Sequence, residues 1–95
     1  MAAYVIAMVE VTDAEAYEEY RRRVLETIER HGGRFLVRGG ASELLEGSWQ
    51  PKRVVVLEFP DADAARGWYS SDEYERLIEI RQRASKADLL LVEGV

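Results

Sequence analysis

Cysteine is absent from the 95 residues. Its absence removes disulfides, thiolate metal sites, CxxC redox chemistry and a cysteine nucleophile together. Asparagine is absent too. Histidine occurs once, at His31, and lysine only at Lys52 and Lys86. There is no basic excess: 13 Lys and Arg stand against 18 Asp and Glu, a net charge of −5. A chain that tracks a phosphate backbone carries the opposite sign, so no nucleic acid partner is expected. Long hydrophobic runs are missing as well. None approaches the roughly 20 residues of a membrane-spanning helix, so no membrane partner is expected. Met1-Ala2-Ala3-Tyr4 carries neither a basic stretch nor a small-residue cleavage site before the first apolar run. A signal peptide is therefore not expected, and the cytoplasm is the expected compartment. What is present suffices for one core. Hydrophobic residues make up 47%, and the length allows a single domain over residues 1–95.

The chain alternates between two periodicities. Tyr4–Val11 is apolar and β-branched and predicts a first strand. Thr12-Asp13-Ala14-Glu15 fits a capping box led by Thr12. Tyr17, Tyr20, Val24, Ile28 and His31 then recur at helical spacing, with Glu18–Arg22, Glu19–Arg23 and Glu26–Arg30 as i,i+4 pairs on the outer faces. Gly32-Gly33 supplies the stop. Arg34–Arg38 predicts a second strand. Ala41–Lys52 reads as a hairpin connection with an extended piece at Glu43–Glu46. Arg53–Phe59 predicts a third strand, ended by Pro60. Asp61 or Asp63 caps a helix through Trp68, which breaks and restarts at Ser70-Ser71-Asp72-Glu73. Tyr74, Leu77, Ile78 and Arg81 form its inner stripe, and Ala87–Glu93 predicts the last strand.

The order βαββαβ favours an α+β, ferredoxin-like fold: a four-stranded antiparallel sheet with two helices on one face. Such a sheet normally alternates apolar and polar residues. Here Val5 through Val9, Val54 through Leu57 and Leu89 through Val92 are apolar throughout. Successive strand residues point to opposite faces, so both faces require cover, and the helices cover one. A second copy of the chain is the expected cover for the other, which makes a homodimer the expected assembly.

Further sequence features carry a family resemblance. These are Gly32-Gly33-Arg34-Phe35-Leu36-Val37-Arg38-Gly39-Gly40, Glu46-Gly47-Ser48-Trp49-Gln50-Pro51, Glu58-Phe59-Pro60, Trp68-Tyr69-Ser70-Ser71-Asp72-Glu73-Tyr74, Arg81 and Glu93-Gly94. In this order the chain resembles the domain of unknown function 1330 family over essentially its whole length. The resemblance implies a dimeric α/β barrel, in which two ferredoxin-like sheets pair. It also implies kinship with a superfamily that includes cofactor-free quinone-forming monooxygenases, muconolactone isomerases, haem-handling enzymes and ligand-sensing domains. It implies no reaction.

Four polar residues stand out as candidate catalytic groups. His31 ends the inner stripe of the first helix: it is either a proton-transfer group or haem ligand, or a helix-terminal cation on the last carbonyls. Arg38 either clamps a carboxylate or phenolate, or pairs with Glu46 or Glu58. Glu58 is either a desolvated general base or the ion-pair partner of Arg38 or Arg81. Arg81 sits where a packing helix would place Leu, so it pairs internally or faces a pocket. Trp68 and Tyr74 are the candidate ligand-lining residues, and core packing is their alternative. A gap, expected to be the largest cavity, is placed at the Ser70-Ser71 break. Neither a metal nor a cofactor is expected, since no ligand spacing, phosphate loop or Ser-His-Asp set is present. The expected function is a small cofactor-free enzyme, monooxygenase- or isomerase-like, acting on a planar or acidic metabolite. The alternative is a non-catalytic ligand-binding or structural homodimer.

Overall fold

The computed structural model describes residues 1–50 and 52–95; Pro51, in the expected hairpin connection, lies outside the described residues. The elements are β1 (Ala3–Val11), α1 (Ala14–Glu29), β2 (Arg34–Arg38), β3 (Val54–Phe59), α2 (Ala62–Tyr69), α3 (Asp72–Ala84) and β4 (Ser85–Glu93). The strands form one sheet in the order β2-β3-β1-β4. Every neighbouring pair is antiparallel.

Among the described residues three helices are present, where the sequence predicts two. The second expected helix divides because Ser71 adopts an extended backbone, with ψ 150. Its hydroxyl then serves both stumps, donating to the Trp68 carbonyl at 2.7 Å and accepting from the Tyr74 amide at 3.3 Å. This satisfies groups that a helix end otherwise leaves bare.

The α1 cap also differs from expectation. Asp13, not Thr12, accepts from the Ala16 amide. The reason is tertiary: the Thr12 and Asp13 amides both bond the Ala84 carbonyl, at 2.8 and 3.0 Å, so the chain is still tied to α3 at Thr12. At the far end of α1, Gly33 and Gly32 donate to Ile28 and Glu29, and Gly32 takes φ 76, a conformation suited to glycine. On the outer surface Glu18 pairs with Arg21 rather than Arg22, while Glu19–Arg23 and Glu26–Arg30 pair as expected. The Glu43–Glu46 piece forms no strand.

All helices lie on one face of the sheet. On that face β1 contributes Ala3, Val5, Ala7 and Val9, all buried. The opposite face carries Tyr4, Ile6 and Met8, half-buried, beside Val54, Val56, Leu90 and Val92. Leu90 is 56% exposed. The core centres on Trp68, whose ring lies 4.0 Å from Tyr74 and 5.5 Å from Phe59, centroid to centroid. The Trp68 indole donates to the Thr27 hydroxyl at 3.0 Å, which ties α2 to α1.

Candidate functional site

Between the sheet and the roof formed by α1 and α3 runs a narrow cleft of about 40 Å³. Its walls are mostly apolar: Val5, Ala7, Val9, Val24, Val55, Leu57 and Trp68. Into these walls project four arginines, Arg21, Arg38, Arg53 and Arg81, and three tyrosines, Tyr17, Tyr20 and Tyr74. No carboxylate and no histidine lines it among the described residues.

Each cation arrives by a different route. Arg81 stands on the buried stripe of α3 and is 5% exposed, yet its Nε has no hydrogen-bond partner among the described residues. Arg53 precedes β3, and its carbonyl accepts from the Val9 amide at 2.8 Å. Its guanidinium lies over Gly39, in space that a Cβ there would occupy, and 6.0 Å from the Tyr17 ring centroid. Gly39 also has φ 72, so both its conformation and its missing side chain serve this placement. The Arg53 Nε is likewise buried without a partner. Arg38 ends β2; its guanidinium stacks 4.2 Å from the Phe35 ring centroid and donates to the Arg21 carbonyl at 2.6 Å. Desolvation, and then the charges of Arg21 and Arg53, hold Arg38 below the ordinary arginine pKa. Among the described residues, Arg38, Arg53 and Arg81 pair with no carboxylate, while Arg21 reaches Glu18 at 3.5 Å.

Tyr20 and Tyr74 are held as phenols. The Tyr20 and Tyr74 hydroxyls share a hydrogen bond of 2.8 Å. Burial, with the neighbouring Tyr74, pushes Tyr20 well above the ordinary phenol value, against the opposing charge of Arg81. Burial raises Tyr74 too, opposed by its hydrogen bond to Tyr20 and by Arg81. The lining is thus rich in donors and poor in bases.

The cleft brings together Arg38, Arg81, Trp68 and Tyr74 of the residues singled out from sequence. It does not include the other two. His31 lies beyond α1, with Nδ1 3.1 Å from the Thr27 carbonyl and its ring against Gly67 of α2. The His31 amide bonds the Ile28 carbonyl, three residues back, so the last turn is already tightened there. Glu58 points to the opposite sheet face. Its partner is Arg34, directly across the strand pair at 2.8 Å, and neither Arg38 nor Arg81. The cleft is also not the widest depression. One of about 400 Å³ lies beside the β2–β3 connection, lined by residues that include Leu44, Trp49 and Val54. The sequence reading names neither Arg53 nor the phenols of Tyr17 and Tyr20 as site residues. Phenols on a helix's inner stripe were the available signal, since buried hydroxyls need partners.

Solved structures share this fold. A protein of unknown function from Rhodopseudomonas palustris, RPA0582, matches at TM-score 0.79 and 21% identity, covering 99% of this chain and 82% of that one. A dimeric ferredoxin-like protein of unknown function from Jannaschia sp. CCS1 matches at TM-score 0.67 and 12% identity, covering 99% of this chain and 100% of that one. SnoaB, a cofactor-independent oxygenase from Streptomyces nogalater, matches at TM-score 0.65 and 16% identity, covering 99% of this chain and 92% of that one. No curated protein matches. The family model described as a domain of unknown function (DUF1330) spans residues 2–95, and with the ferredoxin-like fold in place the chain belongs to that family.

Proposed function

We propose that the cleft binds a small planar organic anion and that the protein acts on it as a cofactor-free enzyme of the monooxygenase or isomerase type. The observation that carries the reading is the set Arg38, Arg53 and Arg81: three guanidiniums facing an apolar cleft with no carboxylate to neutralise them among the described residues. Buried donors without partners are costly, so a ligand that satisfies them gains what the free protein forfeits. An apolar cleft with a few convergent polar groups is the usual form of a small-molecule site. The volume of about 40 Å³ admits only a few waters. An organic ligand therefore requires the mouth to widen, and the long Arg21 and Arg38 side chains there have rotamers to do so.

The catalytic part of the reading is supported by the donors. Arg81 and the two phenols can hold negative charge that develops on a bound substrate. The cofactor-independent oxygenase among the structural neighbours is consistent with it. A second reading, binding without chemistry, is favoured by one feature: the lining has no carboxylate or imidazole to take a proton. The purely structural reading is disfavoured by the unpartnered Arg53 and Arg81 Nε atoms. The reading also includes a homodimer in the cytoplasm, with the open sheet face covered by a second copy. The apolar residues of that face and the dimeric neighbour support the pairing.

A thermal-shift screen of small aromatic acids and their uncharged amides tests the binding. A ligand that prefers the folded state raises the transition temperature. Acids should raise it and the matching amides should not. Equal response to both, or to neither, would remove the anion reading. Oxygen consumption or product formation with the binding acids separates the enzyme from the pure binder. Sedimentation at micromolar concentration tests the dimer, which a monomer would contradict.

A further inference from the structure

We propose that the ligand carries two acidic oxygens, a carboxylate at one end of a flat apolar body and an ionisable hydroxyl at the other. This rests on the anion-binding reading above and narrows it. The cations of the cleft fall into two groups of different character. Arg38 and Arg53 come from β2 and the start of β3, with Arg21 beside them. This pole is partly open to solvent, and desolvation first, then the charges of Arg21 and Arg53, lowers the pKa of Arg38 there. It suits a group already ionised in water, and a planar guanidinium matches a carboxylate in two-pronged geometry.

The other pole is Arg81 with the bonded Tyr20 and Tyr74 hydroxyls, all buried. A carboxylate would have to shed its whole hydration shell to reach it. A hydroxyl arrives neutral at lower cost and then gives its proton to solvent, because an adjacent cation favours the anion. The tyrosines do not compete for ionisation, since burial holds both as phenols. They remain donors to the incoming oxygen. The two poles enter from opposite sides. Arg38 ends β2 at one edge of the sheet, and α3, which carries Arg81, runs directly into β4 at the other edge. Tyr17 lies between them, its ring 5.4 Å from that of Tyr20 and 6.0 Å from the Arg53 guanidinium, above an apolar floor of Val5, Ala7, Val55 and Leu57.

The probe is 4-hydroxy-3-nitrobenzoate, whose hydroxyl ionisation is visible by absorbance, with 3-nitrobenzoate as the control that lacks the hydroxyl. Absorbance is titrated against pH with and without saturating protein. The bound hydroxyl should ionise about one pH unit lower than the free one, a tenfold preference for the phenolate. The control should bind about tenfold more weakly. Arg81→Met should keep the probe bound but return its ionisation to the free value. Arg38→Ala should weaken both compounds alike and leave the shift in place. An unmoved or raised ionisation in the wild-type complex, with both compounds binding equally, would overturn the two-oxygen inference and leave the anion reading standing. Failure of both compounds to bind would overturn the anion reading itself.

Discussion

On its helix-covered face β1 presents Ala3, Val5, Ala7 and Val9, while on the other face the same strand presents Tyr4, Ile6 and Met8. The small residues face the helices because the helices bring the bulk: Trp68, Tyr20 and Tyr74 fill the layer above them. The larger residues lie on the face with no helix to cover it. Charge is distributed just as unevenly. On the open face Glu58 and Arg34 neutralise each other across a strand pair. On the covered face Arg53 and Arg81 are held with buried, unpartnered Nε atoms. The roles proposed above, association for the open face and ligand binding for the covered one, follow this division of charge.

The largest effect expected is on the aromatic layer. Trp68 is 1% exposed and stacks on Tyr74 and Phe59. Trp68→Ala should cost about 3–5 kcal/mol in denaturant unfolding, the range for emptying a large aromatic site. A loss near zero would mean that this layer is not the core of the covered face.

The Tyr20–Tyr74 bond offers an intermediate effect with a pH signature. At neutral pH Tyr20→Phe should cost about 1 kcal/mol, leaving the Tyr74 hydroxyl without its partner. Burial raises the Tyr20 pKa above the ordinary value of 10.0 in the folded protein. The unfolded chain therefore releases this proton first, and wild-type stability should fall as pH rises above 10.0 toward the folded-state value. The Phe variant should show a shallower fall, measured by urea unfolding across that range. Parallel curves would contradict the assigned environment.

The smallest effect belongs to the open face. Arg34 and Glu58 are 70% and 25% exposed at their side chains. At concentrations low enough to dissociate the proposed dimer, Glu58→Ala should change folding stability in denaturant unfolding by about 0–1 kcal/mol, the usual worth of a solvent-exposed pair. A much larger loss would show that Glu58 is held in a buried network after all.

The contrast between faces was partly readable in the residues. Uninterrupted apolar strands indicate two faces needing cover, and the choice of Asp61 or Asp63 and the run Ser70-Ser71-Asp72-Glu73 announce their helices because capping is local chemistry; the structure selects Asp61 and Ser71. Arg81 was visible as a misfit on an apolar stripe. Glu58 was misassigned because its partner depends on strand register, which places Arg34 opposite it and shifts between Phe35 and Val37. In sequence Arg53 is an ordinary charged strand boundary; its place in the cleft depends on Gly39, which makes room for it. His31 continues the helical spacing, but its amide bonds Ile28 in a tightened last turn and its ring meets α2 rather than the cleft.

The proposed site requires the Arg53 and Arg81 Nε–H groups to take an anionic ligand. Nitrogen-15 NMR observes arginine Nε–H groups directly. Titration of the labelled protein with an aromatic carboxylate should shift the Arg81 and Arg53 signals and leave those of the paired Arg30 and Arg34 in place. Uniform small shifts at all four arginines, or shifts confined to Arg30 and Arg34, would contradict it.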